Sequence, residues 1–265
     1  MSLTYIIVLA VIQGLTEFLP VSSSAHLTLA PLFFGEKNQG LAFDVALHLG
    51  TLSAALVYYR KDVWEIALAV LQWNKASTKP MRNLGVYIVL ATIPAVLGGL
   101  VIHHFYPDGI DNVKVITATT LFFGALMGVA DWTGKKDYDI KDIKLRHAMV
   151  IGCAQVLSLI PGTSRSGSTM TAARFMGFKR EDAARFSFLL GMPATFGAGL
   201  MGVVDMIRKH DVSQMHDAAI GAVLSFIVGI AAIHFMIRWL GKFGLMPYVV
   251  YRILLGGFLL VHFVL

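Results

Sequence analysis

Six long apolar segments dominate the sequence and limit the folds that are open to it. They are Leu41–Tyr59, Asn83–His103, Val113–Asp131, Glu181–Val204, Asp217–Trp239 and Met246–Val264. A helix of about 20 apolar residues spans the hydrocarbon core of a bilayer. Only 14% of the 265 residues are charged and the mean hydropathy is +0.69, whereas about a quarter of a soluble domain is charged. The sequence therefore predicts an all-α polytopic membrane protein with six transmembrane helices.

Two further apolar segments, Leu3–Gly35 and Leu145–Gly177, are too long for one crossing and are each interrupted by proline and serine. Non-helical backbone at membrane depth is tolerated only where protein or a water-filled cavity satisfies its polar groups. We therefore predict two re-entrant helical hairpins, each made of two half-helices. The segment Asp62–Trp73 has apolar residues at helical spacing between polar ones, which predicts an interfacial helix.

The distribution of lysine and arginine predicts the orientation. One set of loops carries Arg60, Lys61, Lys75, Lys79, Arg82, Lys135, Lys136, Lys141, Lys144, Arg146, Lys179, Arg180, Arg238 and Lys242. The opposite loops carry only Lys37, Lys114, Arg208 and Lys209. The positive-inside rule places the cation-rich side in the cytoplasm and both termini outside. Because this rule explains the net charge of +6, we predict membrane lipids and no nucleic acid as partners.

A constant spacing relates the two halves of the chain. Residue pairs 141 positions apart include Pro20 and Pro161, Ser23 and Ser164, and Gly50 and Gly191. We predict a single membrane domain of two repeats, residues 1–131 and 145–265, each with one hairpin followed by three crossings. Three crossings invert the second repeat relative to the first, and broken elements in such folds meet near the bilayer midplane. The two breaks are therefore predicted to form one polar pocket.

The second break places a cation among hydroxyl groups and glycines. Arg165 has as neighbours Gly162, Thr163, Ser164, Ser166 and Thr169. A planar guanidinium, hydroxyls and backbone NH groups suit a phosphate group, and a half-helix that starts after the break adds free NH donors. We predict that these residues, with Ser22 of the first break, bind an anionic substrate. The alternative is an arginine that only satisfies carbonyls at a broken helix.

The first break carries the acidic and nucleophilic groups. Gln13 and Glu17 are four residues apart and share a helix face, so they can hold Mg²⁺ or Ca²⁺ against phosphate oxygens; alternatively Glu17 pairs with Arg165. His26 suits a general acid or base, an orienting donor or a hydrogen-bonded core residue. Ser23 suits an activated nucleophile or a helix cap.

These motifs resemble the bacitracin-resistance type undecaprenyl-diphosphate phosphatases, polytopic enzymes of the bacterial cytoplasmic membrane. Residues 13–26, QGLTEFLPVSSSAH, resemble the glutamate-rich first motif of that family, and residues 161–169, PGTSRSGST, resemble its arginine-bearing second motif. The resemblance covers nearly the whole chain. It implies six crossings, two re-entrant hairpins and inverted repeats, and removal of the terminal phosphate from a C55 polyprenyl diphosphate to give the carrier of wall precursors.

The resemblance also implies roles for individual residues. Glu17 belongs to an acidic, metal-dependent site, His26 takes an acid/base or nucleophilic role, Ser23 supplies an attacking or positioning hydroxyl, and Arg165 binds the diphosphate. Gln13 stands where the family often has glutamate. A mechanism that needs two carboxylates on this helix is therefore in doubt.

Several expectations depend on topology more than on these motifs. An outward-facing active site follows if the first hairpin enters from the side of the termini, and a homodimer is left open. Asp44 and His48, four residues apart on the next span, suit a second layer around the site or a structural role. The main alternative is a secondary transporter or polyprenyl-lipid flippase, because inverted repeats with broken helices are also transporter architecture.

Overall fold

The computed structural model describes residues 1–106, 109–110, 112–134, 137–208 and 215–265. Three lysines that we counted among the loop cations lie outside the described residues: Lys135, Lys136 and Lys209. The described chain forms eleven α-helices: α1 (Leu3–Thr16), α2 (Ser23–Phe34), α3 (Leu41–Tyr58), α4 (Arg60–Leu71), α5 (Lys79–Phe105), α6 (Val113–Thr133), α7 (Leu145–Val156), α8 (Arg165–Phe175), α9 (Arg180–Arg208), α10 (Met215–Phe243) and α11 (Met246–Leu259).

The six predicted crossings are confirmed as helices that are long and apolar enough to span a membrane. They are α3, α5, α6, α9, α10 and α11, the last extended to Val264. The all-α class is confirmed as well. Helix bounds extend beyond the apolar segments, since α5 begins at Lys79 and α10 ends at Phe243. A helix can continue past the apolar segment, because polar side chains at its ends reach the membrane interface.

Two pairs of short helices occupy the positions of the predicted hairpins. Helix α1 has 14 residues and rises about 21 Å, well below the roughly 30 Å of a hydrocarbon core. Helices α2, α7 and α8 have 12, 12 and 11 residues. Helix α1 packs on α2, and α7 packs on α8. These lengths and contacts are compatible with re-entrant hairpins, which stay a prediction.

Corresponding helices of the two halves make corresponding contacts. Helix α1 packs on α10 of the other half, and its counterpart α7 packs on α5. Helix α3 likewise contacts α10, while α9 contacts α5. The counterparts α3 and α9 contact each other, and so do α6 and α11. This pattern supports the prediction of an inverted repeat and brings both breaks to the centre of the molecule.

An aromatic cluster closes the centre of the molecule on the cation-rich side of the first break. Phe18, Tyr59 and Phe188 are buried. The Phe188 ring centroid lies 5.5 Å from that of Phe18 and 6.1 Å from that of Tyr59. The space on the opposite side of the breaks is left open, and the candidate site lies there.

Candidate active site

Both breaks turn through a serine with strained backbone. Ser22 has φ 75° and Ser164 has φ 72°, and among the described non-glycine residues only these two have positive φ. Such a conformation costs on the order of 1 kcal/mol or more, and it persists where the surrounding structure enforces it, commonly at functional sites. Helices α2 and α8 begin at the next residues, Ser23 and Arg165. The strained serines are 142 positions apart, one more than the sequence spacing of 141.

Direct hydrogen bonds join the two breaks, as the repeat predicts. The backbone NH of Gly162 donates to Oγ of Ser22 at 3.2 Å. In the other direction, Oγ of Ser166 donates to the carbonyl of Leu19 at 3.2 Å. The breaks therefore form one connected substructure rather than two separate turns.

A buried arginine that sequence reasoning left without a role binds both breaks at once. Arg252 of α11 is fully buried, and its guanidinium donates to five backbone carbonyls, those of Pro20, Gly162, Thr163, Thr119 and Thr120, at 2.7–3.3 Å. Buried carbonyl groups need hydrogen-bond donors, and carbonyls at a helix break lack the backbone NH partners that a regular helix supplies. Arg252 supplies these donors to both breaks and to α6.

Glu17 is the centre of the polar contacts. Its Oε1 accepts from Nη2 of Arg165 at 3.1 Å, so the carboxylate of one break pairs with the cation of the other. Its Oε2 accepts from Oγ of Ser23 at 2.7 Å and from Nε2 of Gln13 at 3.1 Å. Nε2 of His48 lies 3.8 Å from the same oxygen. The sequence prediction that Glu17, Ser23 and Arg165 come together therefore agrees with the geometry.

A cavity of about 550 Å³ opens at this cluster. Glu17, Ser22, Ser23, Ser164 and Arg165 line its inner end. Its other walls come from the first half of α3, the last halves of α5 and α9, and the end of α7 with the turn after it. They include apolar residues such as Val45, Val96, Leu100 and Met201. One end is thus polar and charged, and the walls are mostly apolar.

The electrostatics of the polar end favour an anion. The starts of α2 and α8, at Ser23 and Arg165, both line the cavity. Helix N-termini carry free NH groups and the positive end of the helix dipole. Together with the guanidinium of Arg165, they form the kind of environment in which phosphate groups bind. Although Arg165 pairs with Glu17, 17% of its side chain is exposed, and it lines the cavity.

His26 lies beside this cavity rather than in its wall, among the residues that the structure describes. Its Nδ1 donates to the carbonyl of Ser22 at 2.7 Å, and its Nε2 lies 2.6 Å from the hydroxyl of Tyr251 on α11. Both ring nitrogens therefore have partners. The acid/base role of His26 stays a prediction, and the geometry adds a contact that supports the strained Ser22.

His48 and Asp44, which the sequence left as a second layer or structural, both line the cavity. Nδ1 of His48 donates to the carbonyl of Asp44 at 2.8 Å, which turns Nε2 toward Glu17. Oδ1 of Asp44 accepts from Nε2 of Gln39 at 2.8 Å. The i, i+4 spacing was the available signal, but spacing does not reveal which face of α3 meets the breaks.

The remaining predicted substrate donors differ in where they lie. Ser22 and Ser164 line the cavity, whereas Gly162, Thr163, Ser166 and Thr169 are buried behind it. Thr169 Oγ1 lies 2.7 Å from Oγ of Ser187 on α9, and Oγ of Ser164 accepts from the NH of Gly167 at 3.1 Å, capping α8. Oγ1 of Thr163 is buried without a hydrogen-bond partner. Gly162, Thr163, Ser166 and Thr169 therefore belong to the buried side of the second break and do not face the cavity.

Comparisons with known proteins identify the family of the chain. The family model described as bacitracin resistance protein BacA matches residues 6–258. The chain is 47% identical over 255 residues to an undecaprenyl-diphosphatase of Alcanivorax borkumensis, covering 96% of both chains. It is 43% identical over 250 residues to that of Marinobacter nauticus, covering 94% of both, and 42% identical over 261 residues to that of Alteromonas mediterranea, covering 98% of both.

Proposed function

We infer the function of the chain from its family, because the chain belongs to the family of the bacitracin resistance protein BacA. It is a multi-pass membrane enzyme that removes the terminal phosphate of undecaprenyl diphosphate and so returns undecaprenyl phosphate to peptidoglycan synthesis. Because its relatives are bacterial, the membrane is the bacterial inner membrane. We propose that the cluster of Glu17, Ser23 and Arg165 is the active site.

The contacts of Arg165 and the helix starts support diphosphate binding at the inner end of the cavity. The terminal phosphoryl group carries the charge that Arg165 and the NH groups of α2 and α8 neutralise. The other walls of the cavity are mostly apolar. We propose that they accompany the first isoprenoid units of the substrate.

The hydrogen bond from Ser23 to Glu17 supports a covalent route. We propose that Oγ of Ser23 attacks the terminal phosphorus while the bond to the bridging oxygen breaks, and the electron pair leaves with undecaprenyl phosphate. The proton of Ser23 passes to Oε2 of Glu17, 2.7 Å away. Water then attacks the phosphoserine, Oγ of Ser23 leaves and regains the proton from Glu17, and inorganic phosphate is released.

A divalent cation remains a proposal that fits the donors on the first helix. Gln13 is fully buried, and it donates to Glu17 through Nε2 while its Oε1 has no hydrogen-bond partner. An exchange of the two amide positions would present the oxygen to the Glu17 carboxylate. Mg²⁺ and Ca²⁺ prefer oxygen ligands and are often held by one carboxylate together with substrate phosphates. Among the described residues no cluster of three or more His, Cys, Asp or Glu could hold a metal. We propose that Glu17, Gln13 and the diphosphate would together hold Mg²⁺ or Ca²⁺, which would neutralise phosphate charge.

The position of the cavity supports an outward-facing site. Its walls come from the start of α3 and the ends of α5 and α9. These helix ends join the loops that are poor in lysine and arginine, which the positive-inside rule places outside. The aromatic cluster of Phe18, Tyr59 and Phe188 lies on the opposite side. Whether two copies form a homodimer is a separate proposal, tested by light scattering of the purified protein in detergent.

The covalent route is tested by acid-quenching the purified protein with undecaprenyl diphosphate that carries a radiolabel in its terminal phosphate. We expect label on the wild-type chain at Ser23 and none on Ser23→Ala. Full activity of Ser23→Ala would contradict the covalent route through Ser23 and leave the attack to water held by Glu17 or to His26. Phosphate release measured with Mg²⁺, with Ca²⁺ and with a chelator tests the cation proposal in the same preparation.

A further inference from the structure

One glycine of α9 lies directly against the cation of the active site. Gly191 is buried in the middle of α9. A β-carbon added to Gly191 would overlap Nη1 and Cζ of Arg165 and would lie 2.9 Å from its Nη2. The three nearest atoms to that β-carbon thus all belong to one guanidinium. The flat group rests on the bare backbone of the helix, in a space that only glycine leaves open.

The surrounding contacts explain why the guanidinium occupies this position. Nη1 of Arg165 donates to the carbonyl of Ser187, one helical turn before Gly191, at 3.4 Å. Nη2 donates to Glu17 at 3.1 Å. The side chain therefore crosses from α8 to the first break by lying along α9, and its two ends are fixed on either side of Gly191.

Glycines elsewhere in the chain separate this arrangement from ordinary helix packing. Gly50, the repeat counterpart of Gly191, lies against Oγ of Ser225 and the backbone of Ala222, and so brings α3 close to α10. Gly124, in contrast, lies against the side chain of Arg252, with a β-carbon 3.0 Å from Cβ and 3.3 Å from Nε of that arginine. An added β-carbon would also lie close to an arginine side chain at Gly134, Gly167 and Gly244, and Gly191 is the glycine that lies against Arg165.

We propose that Gly191 is a positioning residue that sets where the guanidinium of Arg165 meets the terminal phosphate. This inference rests on the proposed function only for its catalytic consequence, and the geometry stands without it. A side chain at position 191 forces Arg165 off α9 into the cavity, away from the carbonyl of Ser187 and from Glu17. The cation is then displaced from the place where phosphate charge develops.

The expected effect of Gly191→Ala is a loss of kcat greater than the change in KM. A displacement of about 1 Å at a catalytic group can lower the rate about a hundredfold, and we expect a loss approaching this in phosphate release per folded molecule. Gly257→Ala on α11 is the matched control, because no atom lies within 4 Å of a β-carbon there. We expect that control to keep the wild-type kcat and KM.

A thermal-stability cycle tests the contact without any activity measurement. Melting temperatures are compared for wild type, Gly191→Ala, Arg165→Ala and the double variant in one detergent. We expect Gly191→Ala to lower the melting temperature when Arg165 is present, and to leave it unchanged or raise it when Arg165 is absent, because the added methyl then fills vacated space.

Equal lowering in both backgrounds would overturn the proposal, since Gly191 would then be a packing glycine. Wild-type kcat and KM in Gly191→Ala would overturn it as well, and this second measurement decides the matter if Arg165→Ala does not fold. A wild-type protein that releases no phosphate would contradict the proposed function alone, because the stability cycle would still report on the contact between Gly191 and Arg165.

Discussion

At the scale of the residue, the sequence indicated which side chains belong to the site but not which way each one points. Glu17, Ser23 and Arg165 were predicted from residue type and from their position at the breaks, and Ser23 and Arg165 each donate a hydrogen bond to Glu17. His26 and His48 were harder to place. In both residues, Nδ1 donates to the backbone carbonyl four residues earlier in the chain. Only the packing of α2 and α3 decides that His48 faces the cavity.

Thr163 gives a prediction at this scale. Its hydroxyl is fully buried without a partner, so Thr163→Val removes an unsatisfied polar group while keeping the shape of the side chain. We expect an unchanged KM and a free energy of unfolding that is unchanged or raised by up to about 1 kcal/mol. Phosphate-release kinetics and thermal melting measure the two quantities.

Thr169→Val is the matched comparison, because its hydroxyl bonds to Ser187 on α9. We expect that variant to lose about 1 kcal/mol of stability. A KM that rises tenfold or so in Thr163→Val would instead show that its hydroxyl binds substrate, as the sequence first suggested.

At the scale of the element, hydropathy located the six crossings and the short helix that we predicted to be interfacial, but helix ends differed by several residues. The predicted crossing Asn83–His103 is part of α5, Lys79–Phe105, and the predicted Asp62–Trp73 is α4, Arg60–Leu71. Hydropathy reports contact with lipid, whereas a helix continues as long as its backbone is hydrogen-bonded. The tertiary bonds that join two breaks from distant parts of the chain leave no periodic pattern in the sequence, so the role of Arg252 could not be predicted.

Arg252 is the prediction that belongs to this scale, because it connects α11 to α6 and to both breaks. Arg252→Leu leaves buried carbonyls at Pro20, Gly162 and Thr163 without that donor. We expect a loss of at least about 3 kcal/mol in the free energy of unfolding, with phosphate release lost in parallel. Unfolding by denaturant in mixed micelles measures the stability.

Arg238→Leu provides the control, since Arg238 is an exposed residue of α10. Exposed substitutions usually change stability by no more than about 0.5 kcal/mol. Similar stability of the two variants would mean that the carbonyls of the breaks do not depend on Arg252.

At the scale of the whole molecule, the two halves pack as like units but are chemically different. The first break contributes Glu17 and the second contributes Arg165, and a cavity opens on one side while Phe18, Tyr59 and Phe188 fill the other. The prediction of the repeat depends on a few identical residues that keep one spacing. The asymmetry that makes a site was not, because it depends on which side chains fill the space between the helices.

The predicted orientation can be tested on intact cells. In a Cys153→Ala background, which removes the chain's one cysteine, a cysteine is placed at Gly99 in the cavity wall or at Lys141 in the cation-rich loops. We expect a membrane-impermeant thiol reagent to label Gly99→Cys from outside. Lys141→Cys should react only after the membrane is permeabilised, and the reverse pattern would place the site on the cytoplasmic side.

The central claim is that one hydrolytic site is formed by two breaks from opposite halves of the chain. The most direct measurement is phosphate release from undecaprenyl diphosphate by purified wild type, Glu17→Gln and Arg165→Ala, each with its melting temperature as a check of folding. We predict release by wild type and a loss of at least about a hundredfold in each folded variant. Full activity in either folded variant would contradict the account, since one break alone would then suffice.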